Sequence, residues 1–232
     1  SCAKMQNLTQ EPIGGELKSM LQINSGKLFT RGVGRTNALR GVLYSNGWFY
    51  YDDLETAAGN LRATGGERGD LAVVYELEEQ IEEEKDGPGV LVSHTVTPYL
   101  RDFSALASFG LNLIVSTDVS VVRRLTNSHI GFASNSPPKD FVSRFFDAKV
   151  ITSPAERDGF IDFVDDLIAL KRTHFLAAMR AIKTYVAALH SIPDDLGLSY
   201  TLLVSAVETL VQDFDGFKSS WSDVDERKRK AV

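Results

Sequence analysis

Four residues separate Arg124 from His129 in Arg124-Leu-Thr-Asn-Ser-His129, and Glu208 is a lone carboxylate among Val204, Val207 and Val211. These three residues are the candidates for chemistry. The Arg-x4-His spacing is permissive, because a chain with 4 histidines and many arginines meets it readily by chance. Glu208 reads two ways. Buried among valines, it must be paired or protonated, and a partner is then expected. Pointing along the surface of a helical bundle, or capping a neighbouring loop, it needs none.

The other signals are weaker. His94, His129, His174 and His190 are scattered, with no Cys-x-x-Cys or His-Glu-x-x-His spacing, so no metal ligand set and no metal cofactor are expected. Cys2 is the single cysteine and has no positioned histidine, which makes it a poor nucleophile. Arg31-Gly-Val-Gly-Arg35 holds a Gly-x-Gly without the further glycine or the strand-to-helix setting of a phosphate loop. Glu83-x-Lys85 sits in a charge run rather than in an apolar strand, as a metal-dependent nuclease would need it. No complete catalytic motif emerges, and no cofactor is expected.

Composition narrows the class. At 232 residues the chain can bury one large core or two small ones, and 43% hydrophobic with 24% charged residues is the balance of a globular protein. A net charge of −6 excludes a uniformly basic nucleic-acid surface, though not a local patch. One cysteine excludes an internal disulfide, no apolar run is long enough to span a membrane, and the N-terminus lacks the layout of a secretion signal. A cytoplasmic protein is expected, with Met5 a candidate natural start.

The elements that must position the candidates divide near residue 150. Residues 1–150 read as a mixed α+β domain and 151–232 as an α-helical bundle, an α+β fold class overall. The strongest strand signal is Gly41-Val-Leu-Tyr-Ser-Asn-Gly-Trp-Phe-Tyr-Tyr51, where Asn46-Gly47 suits a type I′ β-hairpin. Residues 59–70 read as a glycine-rich loop or strand edge, and 70–77 as a strand. The charged run 78–85 reads as a solvated helix or loop, and 90–97 as β-prone and limited by Pro98. Residues 99–113 turn helical, 111–115 suggest a short strand, and Asp118 can cap a helix through Val121, Val122 and Leu125.

The bundle is clearer. Ser153, Pro154 and Glu156 make a capping box with proline at the first helical position, and Phe160, Val164, Leu167 and Ile168 follow at helical spacing. A bend near 171–173 leads to a second helix, in which Phe175, Met179, Ile182, Val186 and Leu189 step by four and three until Ile192-Pro193 stops it. A third helix opens at Asp194 or Asp195. Its core, 198–211, is apolar almost all round, which predicts a helix inside a bundle.

The segments Phe175–Leu189 and Leu198-Ser-Tyr-Thr-Leu-Leu-Val-Ser-Ala-Val-Glu-Thr-Leu210 resemble the start of a HEPN domain of the ApeA-like bacterial type. Ala206-Val-Glu-Thr-Leu210 is similar to that family's small-apolar-Glu-x-Leu helix, and Trp221 with Asp223–Lys230 resembles the beginning of its next helix. The resemblance implies a dimerising helical bundle of an RNA-cleaving toxin or antiviral effector. In that class an Arg-x4–6-His on a later helix supplies proton transfer and phosphate stabilisation. No such motif follows Glu208 here, and Arg124–His129 lies upstream of the bundle. The resemblance therefore implies the N-terminal portion, or a non-catalytic relative, of such a protein, its mixed domain sensing a protein trigger and its RNA chemistry belonging to the full-length molecule. The alternative is a non-enzymatic interaction or assembly module. Either way a homodimer is expected through the second and third helices, around Tyr185, Leu189, Leu203 and Val207, unless residues before 150 cover that face.

Overall fold

Val73, Tyr75 and Leu77 are buried while Glu78 beside them is exposed, the period-two alternation of a strand with one wet face. The computed structural model describes residues 21–24, 34–47, 53–64, 71–82, 95–126 and 154–214. Within them lie five strands: β1 (Gly34–Ser45), β2 (Leu54–Thr56), β3 (Gly59–Ala63), β4 (Leu71–Glu82) and β5 (Val115–Ser116). They form one antiparallel sheet in the order β2-β3-β4-β1-β5. Six helices accompany them: α1 (Leu21–Asn24), α2 (Val96–Gly110), α3 (Val119–Thr126), α4 (Pro154–Ala169), α5 (Arg172–Ser191) and α6 (Leu196–Phe214). The α+β class is as expected.

Three strand expectations are corrected. Asn46-Gly47 does not turn a hairpin onto β1, because both edges of β1 at Tyr44–Ser45 are taken, by Leu71–Ala72 and by Val115–Ser116. Asn46 instead prolongs the β5 edge, its N–H donating to the Ile114 carbonyl at 3.3 Å and its Oδ1 accepting from the Ile114 N–H at 2.9 Å. Residues 48–51, the expected second arm, lie outside the described set.

The hairpin is β2–β3, turning at Ala57-Ala58. Gly59 there has φ +137°, and a Cβ on it would land in the ring of Tyr75. The loop or edge expected from residue 59 is thus an inner strand.

The charge run is corrected as well. β4 continues through Glu82, since Gly34–Ala38 supply a hydrogen-bonding ladder for Glu78–Glu82. Across the wet face Arg40 meets Glu76 at 2.7 Å, Arg62 meets Glu76 at 3.0 Å, and Arg62 meets Asp53 at 3.4 Å. Opposite charges on neighbouring strands suit such a face.

Helix α2 closes the dry face. Val96 and Thr97, expected to be β-prone, are its first residues, and Pro98 sits in the first turn, where its missing N–H costs no hydrogen bond. Leu100 occupies the space over Gly41, and a Cβ at that glycine would overlap it. Phe103 lies 4.8 Å from the ring of Tyr75 and 6.3 Å, edge to face, from Phe160 of α4.

The boundary expected near 150 falls outside the described residues, and the segments on its two sides share one hydrophobic core. Gln22 of α1, fully buried, donates to the carbonyls of Ile168 at 3.0 Å and Leu170 at 2.6 Å, satisfying the end of α4. The Ala57 N–H donates to Asp165 at 3.1 Å, tying α4 to the hairpin turn.

The helix boundaries follow the expected punctuation. Asp118 accepts from the Ser120 N–H at 2.8 Å and opens α3, and Asp195 accepts from the Leu198 N–H at 2.9 Å and opens α6. Ser153, the expected cap of α4, lies outside the described residues. Helices α5 and α6 run antiparallel, with Ser199 bonded to the Ala188 carbonyl at 2.8 Å and Phe214 stacked on His174.

Candidate functional site

Arg124 lies on the exposed side of α3 and pairs with Asp194 in the turn between α5 and α6. His129 lies outside the described residues, so the expected pair is not brought together by any described contact. The histidine that feels Arg124 is His190. Burial first, and the Arg124 charge second, lower its pKa from 6.5 to about 4, which keeps the imidazole neutral near pH 7. Glu208 stands roughly 20 Å along α6 from that cluster.

The expectation of an all-round buried third helix is corrected. Glu208 is exposed, on a polar face with Thr201, Ser205 and Gln212. It is not a buried carboxylate in need of a partner. Among the described side chains of α6 only Ser199 and Ala206 are buried, because α6 packs along α5 and no further described helix lies over it. Leu189, expected at the exposed face, is buried with Ile114, Val122, Leu125 and Ile192 where α3 meets the end of α5.

Asp102 is the charged group that sequence reasoning missed. Its side chain is 5% exposed and pairs with Lys183 of α5, which is 35% exposed. The signal was present: Tyr99, Asp102, Phe103 and Leu106 share one helical face, so an aspartate occupies a core position. Nearby, the Tyr75 hydroxyl donates to the Ala58 carbonyl at 2.7 Å, and burial pushes its pKa far up. Asp102 is thus matched by Lys183, and the Tyr75 hydroxyl by the Ala58 carbonyl. Among the described residues no three His, Cys, Asp or Glu side chains gather where a metal could sit, and no helix is long and apolar enough to cross a membrane.

Among the described residues an apolar groove of about 370 Å³ lies open to the surface. Ala178 and Ala181 of α5 line it with small side chains. Phe109 and Phe163 stand on one wall, and Val207 and Leu210 of α6 on the other. The aromatic wall is continuous with the core. Phe163 lies 6.4 Å from Phe160 and 5.7 Å from Phe109, whose ring meets Tyr185 edge to face at 5.4 Å.

Beyond the groove the apolar surface runs on over α6. Tyr200 (69% exposed), Val204 (39%), Val207 (61%), Val211 (49%) and Phe214 (48%) recur at steps of four, three, four and three. Helix α6 therefore carries three faces: one against α5, one polar, and one apolar and uncovered by the described residues. Chemically this surface can exclude water from an apolar partner, and the ionisable groups among its described side chains are the phenols of Tyr185 and Tyr200. Compared with known proteins, the chain matches no family model, no curated protein and no solved structure.

Proposed function

We propose that this chain is a non-enzymatic interaction module whose docking surface is the apolar groove and the adjoining face of α6. One observation carries the reading. Of the ten large hydrophobic side chains that stand exposed among the described residues, eight lie on α6, and all of these but Leu198 fall on the side of the seam and the apolar groove. A contiguous patch of that kind marks an interaction site, whereas scattered exposed hydrophobics do not. The antiparallel sheet and α2 act as the rigid body that holds the surface out, and the setting proposed is the reducing cytoplasm, where Cys2 stays a thiol. The homodimer expected from the helices belongs to this reading as one possible occupant of the surface.

The reading is tested by thiol accessibility. In a Cys2→Ser background, Val207→Cys is the only thiol, and in dilute solution it is expected to react with a water-soluble maleimide at the rate of an exposed cysteine. Protection that persists at every dilution of a monomer would mean the chain covers this face itself, and the docking reading fails.

A second reading keeps the resemblance to HEPN ribonucleases of bacterial defence and toxin systems. Two of the stretches that carry the resemblance pack as one antiparallel helix pair, α5 with α6, which supports it, while the third, Trp221 with Asp223–Lys230, lies outside the described residues. In this reading the RNA chemistry and the protein trigger belong to the full-length protein. Incubation of the present chain with mixed RNA is expected to leave the RNA intact, while cleavage lost on His129→Ala would reinstate Arg124 and His129 as catalytic residues.

A further inference from the structure

Resting on the reading of this face as a docking surface, we propose that its occupant is a second copy of the same chain, packed α6 against α6. Three observations on α6 specify the partner.

The first is the repeat. Tyr200, Val204, Val207, Val211 and Phe214 form a four-three seam, the spacing by which two helices interlock side chains along a shallow left-handed crossing. A partner must carry the same repeat in an open state. Helices α2, α4 and α5 bury their apolar faces in the core, and α6 is the described helix that leaves such a seam open. Val204 and Val211 fall at the a positions of that repeat, where two-stranded packing favours β-branched side chains.

The second is charge. The seam contains no ionisable group apart from the Tyr200 phenol, and Glu208 lies on the polar face. A charged partner finds nothing to pair with there, whereas a second copy meets an uncharged surface like its own. A two-fold contact of one patch with itself is the commonest closed assembly.

The third is area. The exposed parts of the seam residues, with Leu210 and Phe109 at the groove edge, come to roughly 700 Å² per protomer, near the ~800 Å² a side of a standard interface. The seam covers only about two heptads, too short for an isolated coiled coil, but α5 already holds α6 helical. The entropy of forming the helix is met before association.

Light scattering on the full chain over a dilution series tests the proposal, with Val207→Glu and Val211→Glu as seam variants and Thr201→Glu and Ser205→Glu as polar-face controls. The chain is expected to show twice its 25.5 kDa mass at high concentration, the seam variants 25.5 kDa, and the controls the doubled mass. Circular dichroism of each variant checks that it stays helical. Labelling of Val207→Cys, in the Cys2→Ser background, separates the failures. A constant monomer whose Val207→Cys labels at every concentration overturns the second copy and leaves the docking surface for a different protein. A constant monomer whose Val207→Cys never labels overturns both. Doubled mass in the seam variants as well as the controls also overturns the proposal, since the dimer then uses another face.

Discussion

The ring of Phe214, the last residue of α6, stacks on His174 in the first turn of α5, with ring centroids 4.7 Å apart and planes 26° from parallel. This contact and the Ser199–Ala188 hydrogen bond lie at opposite ends of the helix pair. Together they pin α6 to α5 along its length while leaving the seam outward.

Phe214→Ala is expected to loosen that end of α6 by about 1 kcal/mol. Hydrogen exchange should rise in the last turns of α6 and stay unchanged near Ser199. Unchanged protection around Val211 would show that the stack does not hold the helix.

His190 makes stability depend on pH. Its folded pKa, about 4, lies below the unfolded value of 6.5, so the unfolded chain binds the extra proton first as pH falls. This contribution is fully present above pH 6.5 and is lost between 6.5 and about 4, a loss on the order of 3 kcal/mol. His190→Gln should flatten the dependence in that window, as read from urea midpoints at pH 7 and pH 4.5. Arg124→Ala should move the His190 pKa upward by removing the nearby positive charge, visible in an NMR titration of the imidazole.

Lys183→Met is expected to destabilise the fold by about 2–3 kcal/mol, because it leaves the buried Asp102 carboxylate without its cation. Replacing both, with Asp102→Leu and Lys183→Met together, should recover most of that loss. Chemical denaturation of the three variants forms a double-mutant cycle, and additive losses would refute the coupling.

Two glycines should respond in opposite directions. Gly59→Ala meets the ring of Tyr75 at a positive φ and is expected to cost at least about 2 kcal/mol. Gly159 lies in α4 with nothing within 4 Å of a Cβ, so Gly159→Ala should stabilise by about 0.5–1 kcal/mol. Melting temperatures that fail to separate the two would contradict the backbone geometry at the hairpin.

The sequence by itself determined the longer helices and several of their ends, though not the short α1 or the start of α2 at Val96. Asp118 and Asp195 open α3 and α6 through side-chain oxygens that accept local N–H groups, and α5 ends at Ser191, ahead of Pro193, which has no N–H to continue the ladder, although Ile192 itself keeps helical φ and ψ of −50° and −44°. Such effects act within a few residues, so local spacing reveals them. Strand pairing was not legible in the same way. Asn46-Gly47 has the composition of a hairpin turn, yet β1 pairs with β4 and β5, because a strand edge takes whatever partner the whole fold brings to it. The run Glu78–Glu82 suits water in a helix, a loop or a strand, and only the ladder from Gly34–Ala38 made it a strand.

The candidate site divides along the same line. Asp102 could be found on the core face of α2, but its partner Lys183 lies 81 residues away, and no local rule joins them. The apolar residues of α6 were all visible, including Val207 and Phe214. Whether they lie inside a bundle or on its surface depends on how many helices surround them. Burial is a property of neighbours, and tertiary packing against α5 alone left the seam of α6 facing outward.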